Sequence, residues 1–310
     1  MESIRGFAGG ALCYSALGFV PHHQPEQAQY PMIKLSLQSL SYRDTFKAGE
    51  IDLEGIIDKA YEYKMDGVDI HWAHFAATDD DYLEHIRHLC LARGLHIPYI
   101  GITNNFLQTG DDYDAQIENC KKWIDVAQRM GIPMVRLFGG WLNEGQTEDD
   151  AWPQLVEATK MVTAYGRSKH VVCALHNHNH GCIPATGEQV IRILDEVDDE
   201  YYSHILDTGQ YRGSPGASFG ERGQEDPQYN FYGSIETSAP RAVHVRAKIY
   251  RIASGREAWL NYERIMPILK NVGYNGWMSL VFEGQDELDE PAAVPLANAY
   301  LRDLLARHEM

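Results

Sequence analysis

Residues 113–140 read YDAQIENCKKWIDVAQRMGIPMVRLFGG, and this stretch holds the unit from which most of the chain is built. Tyr113–Met130 carries apolar residues at i, i+3, i+4 spacing, which lines one face of an α-helix. Gly131 follows, and glycine supplies the left-handed residue that stops a helix. Met134–Phe138 is then a short, mostly apolar run of strand length, and it ends on Gly139 and Gly140, which permit close backbone approach.

The same alternation recurs from Met32 onward. The candidate strands are Ile33–Leu37, Gly67–His71, Ile97–Ile102, Met134–Phe138, Val171–His176, His204–Asp207, Ala242–Ala247 and Trp277–Phe282. Between them lie helical patterns. Ile51–Lys64 places Leu53, Ile56, Ile57, Ala60 and Tyr61 on one face, and Asp81–Leu91, Ala151–Ala164, Glu188–Val197, Tyr262–Val272 and Ala292–His308 behave alike. Gly94 and Gly273 repeat the stop signal of Gly131. Strict alternation of strand and helix implies a parallel sheet covered by helices.

Eight such units predict an α/β fold, a closed (β/α)8 barrel forming a single domain over residues 32–310. The rival open sheet usually shows a glycine-rich phosphate loop after its first strand, and SLSYRDTF (39–46) is not one. Residues 1–31 read as a poorly ordered N-terminal extension. Within it, GFAGGALCYSALGF (6–19) faintly resembles a signal peptide, but no clear small-x-small cleavage site precedes Pro21. The longest irregular stretch, Tyr211–Pro240, reads as a lid or binding loop.

Composition narrows the function. The chain has 27 basic and 44 acidic residues, a net charge of −17, so nucleic acid and anionic membrane are poor partners. No apolar run is long enough to span a bilayer. Five scattered cysteines without CxxC spacing suit a reduced, cytoplasmic setting, with Cys90 and Cys120 as packing residues.

In such a barrel chemistry sits where strands end. The second strand ends with Asp69 and His71 on one face, and the fourth sends Arg136 inward. The fifth runs into His176, His178 and His180 at alternate positions. A solvated histidine loop or one satisfied core histidine is the plainer alternative there. The sixth ends in Asp207, followed by Gln210, and a carboxylate directly after an apolar strand must be paired, metal-bound or open to a cavity. The seventh puts His244, Arg246 and Lys248 on one face, and the eighth ends in Glu283. Any one of these could be a structural ion pair. Four successive strands ending in such groups point to a site.

At these residues the chain resembles the xylose-isomerase-like TIM barrels, the sugar isomerase and epimerase superfamily. The resemblance covers about residues 32–305 and rests on GVDIH (67–71), RLFGG (136–140), LHNH (175–178), LDTGQ (206–210), HVRAK (244–248) and GYNGWMSLVFEG (273–284). It implies one divalent ion, often manganese, held at four strand ends by a Glu, an Asp, a His and a Glu. Asp207 and Glu283 match the second and fourth ligands. His176 stands where the first Glu is expected, and Arg246 where the His is expected, with His244 two residues deeper. Each exchange adds one positive charge, and together they equal the charge of one divalent ion. Either a metal remains on His176, Asp207 and Glu283, or Arg246 takes over its electrostatic role, since a guanidinium cannot ligate.

The resemblance implies proton transfer next to a sugar carbonyl through an enediolate. Glu283 is the expected base and His178 the partner acid. Arg246 and Lys248 would hold substrate oxygens or a developing alkoxide, and His71, Arg136 and Gln210 would bind the substrate. The first reading is therefore a sugar isomerase or epimerase. A lyase using the same enolate, such as a sugar dehydratase or the catalytic subunit of a 3-keto C-glycoside cleaving enzyme, is an alternative. A non-catalytic sugar-binding barrel is another. The expected partner is a small sugar or glycoside, with a homo-oligomer or a small partner subunit left open.

Overall fold

The computed structural model describes residues 33–216, 223–284 and 288–310. The N-terminal extension, its signal-like segment and Cys13 lie outside the described residues. Eight parallel strands close into a barrel: β1 Lys34–Gln38, β2 Gly67–His71, β3 Ile100–Gly101, β4 Met134–Leu137, β5 Val172–His176, β6 Tyr202–Asp207, β7 Ala242–Ile249 and β8 Trp277–Phe282. Neighbours in sequence are neighbours in the sheet, and β1 closes onto β8 with Lys34 opposite Trp277. The (β/α)8 reading therefore holds. A closed sheet leaves no unpaired edge.

One main helix follows each strand: α1 Leu53–Glu62, α2 Asp80–Ala92, α3 Gly110–Met130, α4 Glu148–Ser168, α5 Gly187–Val197, α6 Phe231–Ser238, α7 Tyr262–Asn271 and α8 Glu290–His308. Their starts are chemically marked. Asp52, Asp79, Thr186 and Asp289 each accept a backbone N–H of the first turn, and Thr147 and Asp150 close a reciprocal capping box on α4. Gly94, Gly131 and Gly273 all adopt positive φ, as their role as stops requires.

Alternation along the strands divides the core in two. Leu35, Leu37, Val68, Ile70, Val135, Leu137, Leu175, Val245, Met278 and Leu280 are buried in the large cluster under the helices. Inside the barrel, Tyr99, Met134, Ala174 and Ile205 form a separate small apolar cluster. The rest of the interior is polar: Ser36, Gln38, Asp69, Arg136, His176, Asp207, His244, Arg246, Lys248 and Ser279 are all buried. Cys90, Cys120, Cys173 and Cys182 are free and buried. Among the described residues no helix is long and apolar enough to cross a membrane.

Three features depart from the sequence reading. The third strand is only Ile100–Gly101 instead of Ile97–Ile102, because Pro98 has no N–H for the ladder and leaves His96 as an isolated bridge to Gly67. Tyr211–Pro240 is not wholly irregular, since α6 fills its end. Asn230 caps that helix, and Phe231, Tyr232 and Ile235 bury its inner face. Residues 217–222 of that stretch lie outside the described residues. The third is an antiparallel ribbon of Gly140–Trp141 with Cys182–Ile183 beside the strand ends. There a Cβ on Gly139 would stand 2.0 Å from the Ile183 carbonyl oxygen. Gly139→Ala is expected to cost about 1–3 kcal/mol in urea unfolding, the usual penalty for overpacking. An unchanged midpoint would show that the ribbon can move aside.

Candidate active site

The C-terminal ends of β5 to β8 bring His176, Asp207, Arg246, Lys248 and Glu283 together at one mouth. Asp207 is the hub. Its Oδ2 accepts from His176 Nε2 at 3.1 Å and from Arg246 Nε at 3.0 Å, and Lys248 Nζ lies 3.3 Å away. Its Oδ1 accepts the Gly209 N–H at 2.9 Å. Asn177 fixes its backbone, accepting from Asp207 N at 2.8 Å and donating to Asp207 O at 3.1 Å. Burial opposes ionisation of Asp207, but Lys248, His176 and Arg246 together hold it well below the ordinary carboxylate range.

His176 is locked as a neutral imidazole. Arg136 Nη1 donates to its Nδ1 at 3.0 Å, so Nε2 carries the proton given to Asp207. Burial drives its pKa well down, and the Arg246 and Arg136 charges reinforce this. The Arg136 guanidinium stacks 4.3 Å from the Phe138 ring centroid. Gly101 gives it room, since a Cβ there would stand 3.0 Å from Arg136 Nη2.

Arg246 also donates through Nη1 to Tyr99 Oη, which accepts a further bond from Gln38 Nε2 at 3.1 Å. One layer deeper, Asp69 Oδ2 accepts from Ser36 Oγ at 2.6 Å and from Ser279 Oγ, and His244 Nε2 bonds Ser279. Burial raises Asp69 to about 7 against the pull of those serines and Arg246. Tyr99, Gln38, Ser36 and Ser279 escape the sequence reading, although alternation from Asp69 and Gly101 would have placed them inside.

Glu283 closes the ring at the mouth. Its Oε1 lies 2.8 Å from Lys248 Nζ, and its side chain keeps 23% exposure where Asp207 has none. Burial resists its charge, but Lys248 brings its pKa below the usual value, so it is ionised at neutral pH. His178 packs edge-on against Phe138 and lies near Trp141. Its Nδ1 donates to the Asn179 carbonyl at 2.8 Å, and burial lowers its pKa to about 4. It is therefore neutral, with its proton on Nδ1 and Nε2 left as the acceptor nitrogen. His180 continues the file, 5.5 Å from His178 between ring centroids. His71 ends β2 half-buried, and burial holds it neutral too. Gln210 is buried, and its Oε1 has no hydrogen-bond partner among the described residues.

A family model for the xylose isomerase-like TIM barrel matches residues 57–304. The chain belongs to that family. Solved structures with the same barrel include D-psicose 3-epimerase with D-tagatose from Clostridium cellulolyticum H10, at 14% identity and TM-score 0.64, covering 89% of this chain and 96% of that one. The probable 3-DHS dehydratase AsbF of Bacillus anthracis shares 17% identity at TM-score 0.65, covering 88% and 98%. A xylose isomerase domain protein from Planctomyces limnophilus shares 14% at 0.64, covering 90% and 98%. Likeness at this level of identity speaks for the fold alone. No curated protein matches the chain.

The donor set at these strand ends does not fit the divalent ion that the resemblance implies. His176 has a partner on each ring nitrogen, and Asp207 Oδ2 already faces three nitrogen donors. A cation, Lys248, lies between Asp207 and Glu283. Among the described residues no group of three His, Cys, Asp or Glu is placed to hold a metal. At the expected set of His176, Asp207 and Glu283, nitrogen donors face His176 Nδ1, Asp207 Oδ2 and Glu283 Oε1. Arg246 pairs with Asp207, and Lys248 is the cation between the two carboxylates.

Proposed function

We propose that the protein is a sugar isomerase or epimerase that transfers a proton next to a substrate carbonyl. The observation that carries this is the Glu283–Lys248 pair at the mouth, an ionised carboxylate 2.8 Å from a buried ammonium. A carboxylate so placed can take a carbon-bound proton. The C–H electron pair becomes the new C=C bond, and the carbonyl π pair moves onto oxygen. That oxyanion needs a nearby fixed donor, which is the usual means of stabilising an enediolate. Arg246 is largely committed to Asp207 and Tyr99 and orients the hub, while Arg136, His71 and Gln210 line the substrate space. The lone pair on His178 Nε2 makes it a candidate second base, which an epimerase needs on the opposite face of the carbon.

The similar structures of D-psicose 3-epimerase and D-allulose 3-epimerase support the sugar class. That of the probable 3-DHS dehydratase supports a second reading. A lyase forms the same enolate, but a β-leaving group departs before a proton returns. Incubation of free ketoses and 3-keto glycosides in D2O, followed by NMR, tests both. The expected result is deuterium entry at the carbon next to the carbonyl of a ketose, with appearance of its isomer or epimer. Elimination product from a keto-glycoside alone would favour the lyase. Neither deuterium entry nor elimination across both classes would overturn the proposal.

The pH dependence follows from the same pair. Because Glu283 ionises below the ordinary range, the rate is expected to stay level from neutral pH into mild acid and to fall only below that range. A rate that halves near pH ~6 would point to a different base, since a histidine titrates there.

A further inference from the structure

We infer that Lys248 supplies, as a fixed part of the chain, the positive charge that a divalent ion would bring to these strand ends. The inference deepens the function proposed above and rests on it for the chemical role alone. Three observations carry it. The ammonium lies 3.3 Å from Asp207 Oδ2 and 2.8 Å from Glu283 Oε1, between the two residues that match metal-ligand positions. Its side chain is 1% exposed, so the charge is held away from bulk water, where it acts most strongly. The surroundings are shaped to hold it. A Cβ on Gly209 would stand 2.7 Å from Lys248 Cγ, and Thr208 Oγ1 accepts the Lys248 backbone N–H at 3.0 Å.

Charge balance points the same way. Arg136, Arg246 and Lys248 are buried cations facing Asp207 and Glu283, so a dication added here would meet three like charges. Lysine also suits the role better than its arginine neighbour. Arg246 spends Nε on Asp207 and Nη1 on Tyr99, whereas an ammonium has three donors and, among the described residues, two carboxylate partners. The third donor is the one that meets the substrate. Glu283 takes the proton from carbon, the carbonyl oxygen gains the electron pair, and a Lys248 N–H bonds that oxygen without giving up its proton. No oxidant, reductant or metal enters the step.

The test uses the full chain in two arms. In the first, the protein is dialysed against MnCl2 and then against metal-free buffer, and bound manganese is counted. Retention far below one equivalent is expected. One equivalent retained would overturn the inference whatever the activity. In the second arm, Lys248→Met keeps an unbranched chain of similar length and removes the charge. Turnover is expected to fall by about 10²–10³-fold, with part of it restored in Lys248→Arg. A Lys248→Met rate within about tenfold of the parent would also overturn it. Should no sugar react with the parent, the function proposed above fails, while the manganese count still decides whether an ion binds where Lys248 stands.

Discussion

Glu283→Gln is expected to lower turnover by about 10²–10⁴-fold while the barrel stays folded. The exchange keeps the shape and one carbonyl oxygen, so the contact with Lys248 Nζ, 2.8 Å in the parent, can persist as a neutral hydrogen bond. What is lost is basicity, because an amide accepts no proton at neutral pH. Stability should change by no more than about 1 kcal/mol, since the Glu283 carboxylate is partly open to solvent and screened there. Turnover and urea unfolding measured on one preparation separate the two effects. A rate within about tenfold of the parent would remove Glu283 as the base. A large loss of stability alongside lost turnover would make the residue structural.

How much of this could be read from the chain depends on the length scale of the signal. The barrel was readable because five of the eight units carry a helix of three or more turns beside a strand, and a mistake in one unit leaves the other seven intact. Where reading failed, the signal was short or nonlocal. FYGSIETS carries glycine, serine and threonine, so α6 looks like loop, and only burial of Phe231 and Tyr232 and the Asn230 cap make it a helix. The convergence of His176, Asp207, Arg246, Lys248 and Glu283 was readable because all five lie at strand ends on inward positions. Their pairing was not. Whether Arg246 or Lys248 stands between the carboxylates depends on side-chain length and on how far each residue lies along β7. Lys248 is one inward step nearer the mouth than Arg246, opposite Val281 on β8 and two residues below Glu283. Arg246 instead lies level with Asp207. The protonation of His178 was equally hidden, because it is set by the Asn179 carbonyl and by burial that no spacing reveals.

Asp207→Asn is expected to cost about 3–5 kcal/mol of stability, the usual loss when one partner of a buried charge pair is removed. The carboxylate accepts from His176 Nε2, Arg246 Nε and Lys248 Nζ on one oxygen and from Gly209 N on the other. An amide offers a single oxygen, and its NH2 must face donors whichever way it turns. Arg246 and Lys248 then remain buried without their shared countercharge. The sign with pH follows from Asp207 ionising well below the ordinary range in the folded protein. Its contribution is present above the unfolded carboxylate pKa and is lost only as pH falls through the depressed folded value. The gap in urea stability between parent and variant should therefore stay level from about pH 8 to pH 5 and narrow only in stronger acid. Adding Lys248→Met to Asp207→Asn should recover part of the loss, because it removes one of the two cations that share Asp207 and leaves Arg246 as the cation without a countercharge, and a double-mutant cycle reads that coupling directly. An Asp207→Asn protein within about 1 kcal/mol of the parent, or a double variant that is strictly additive, would show that these cations do not depend on Asp207. The site would then have to be balanced through Glu283 and Tyr99 instead.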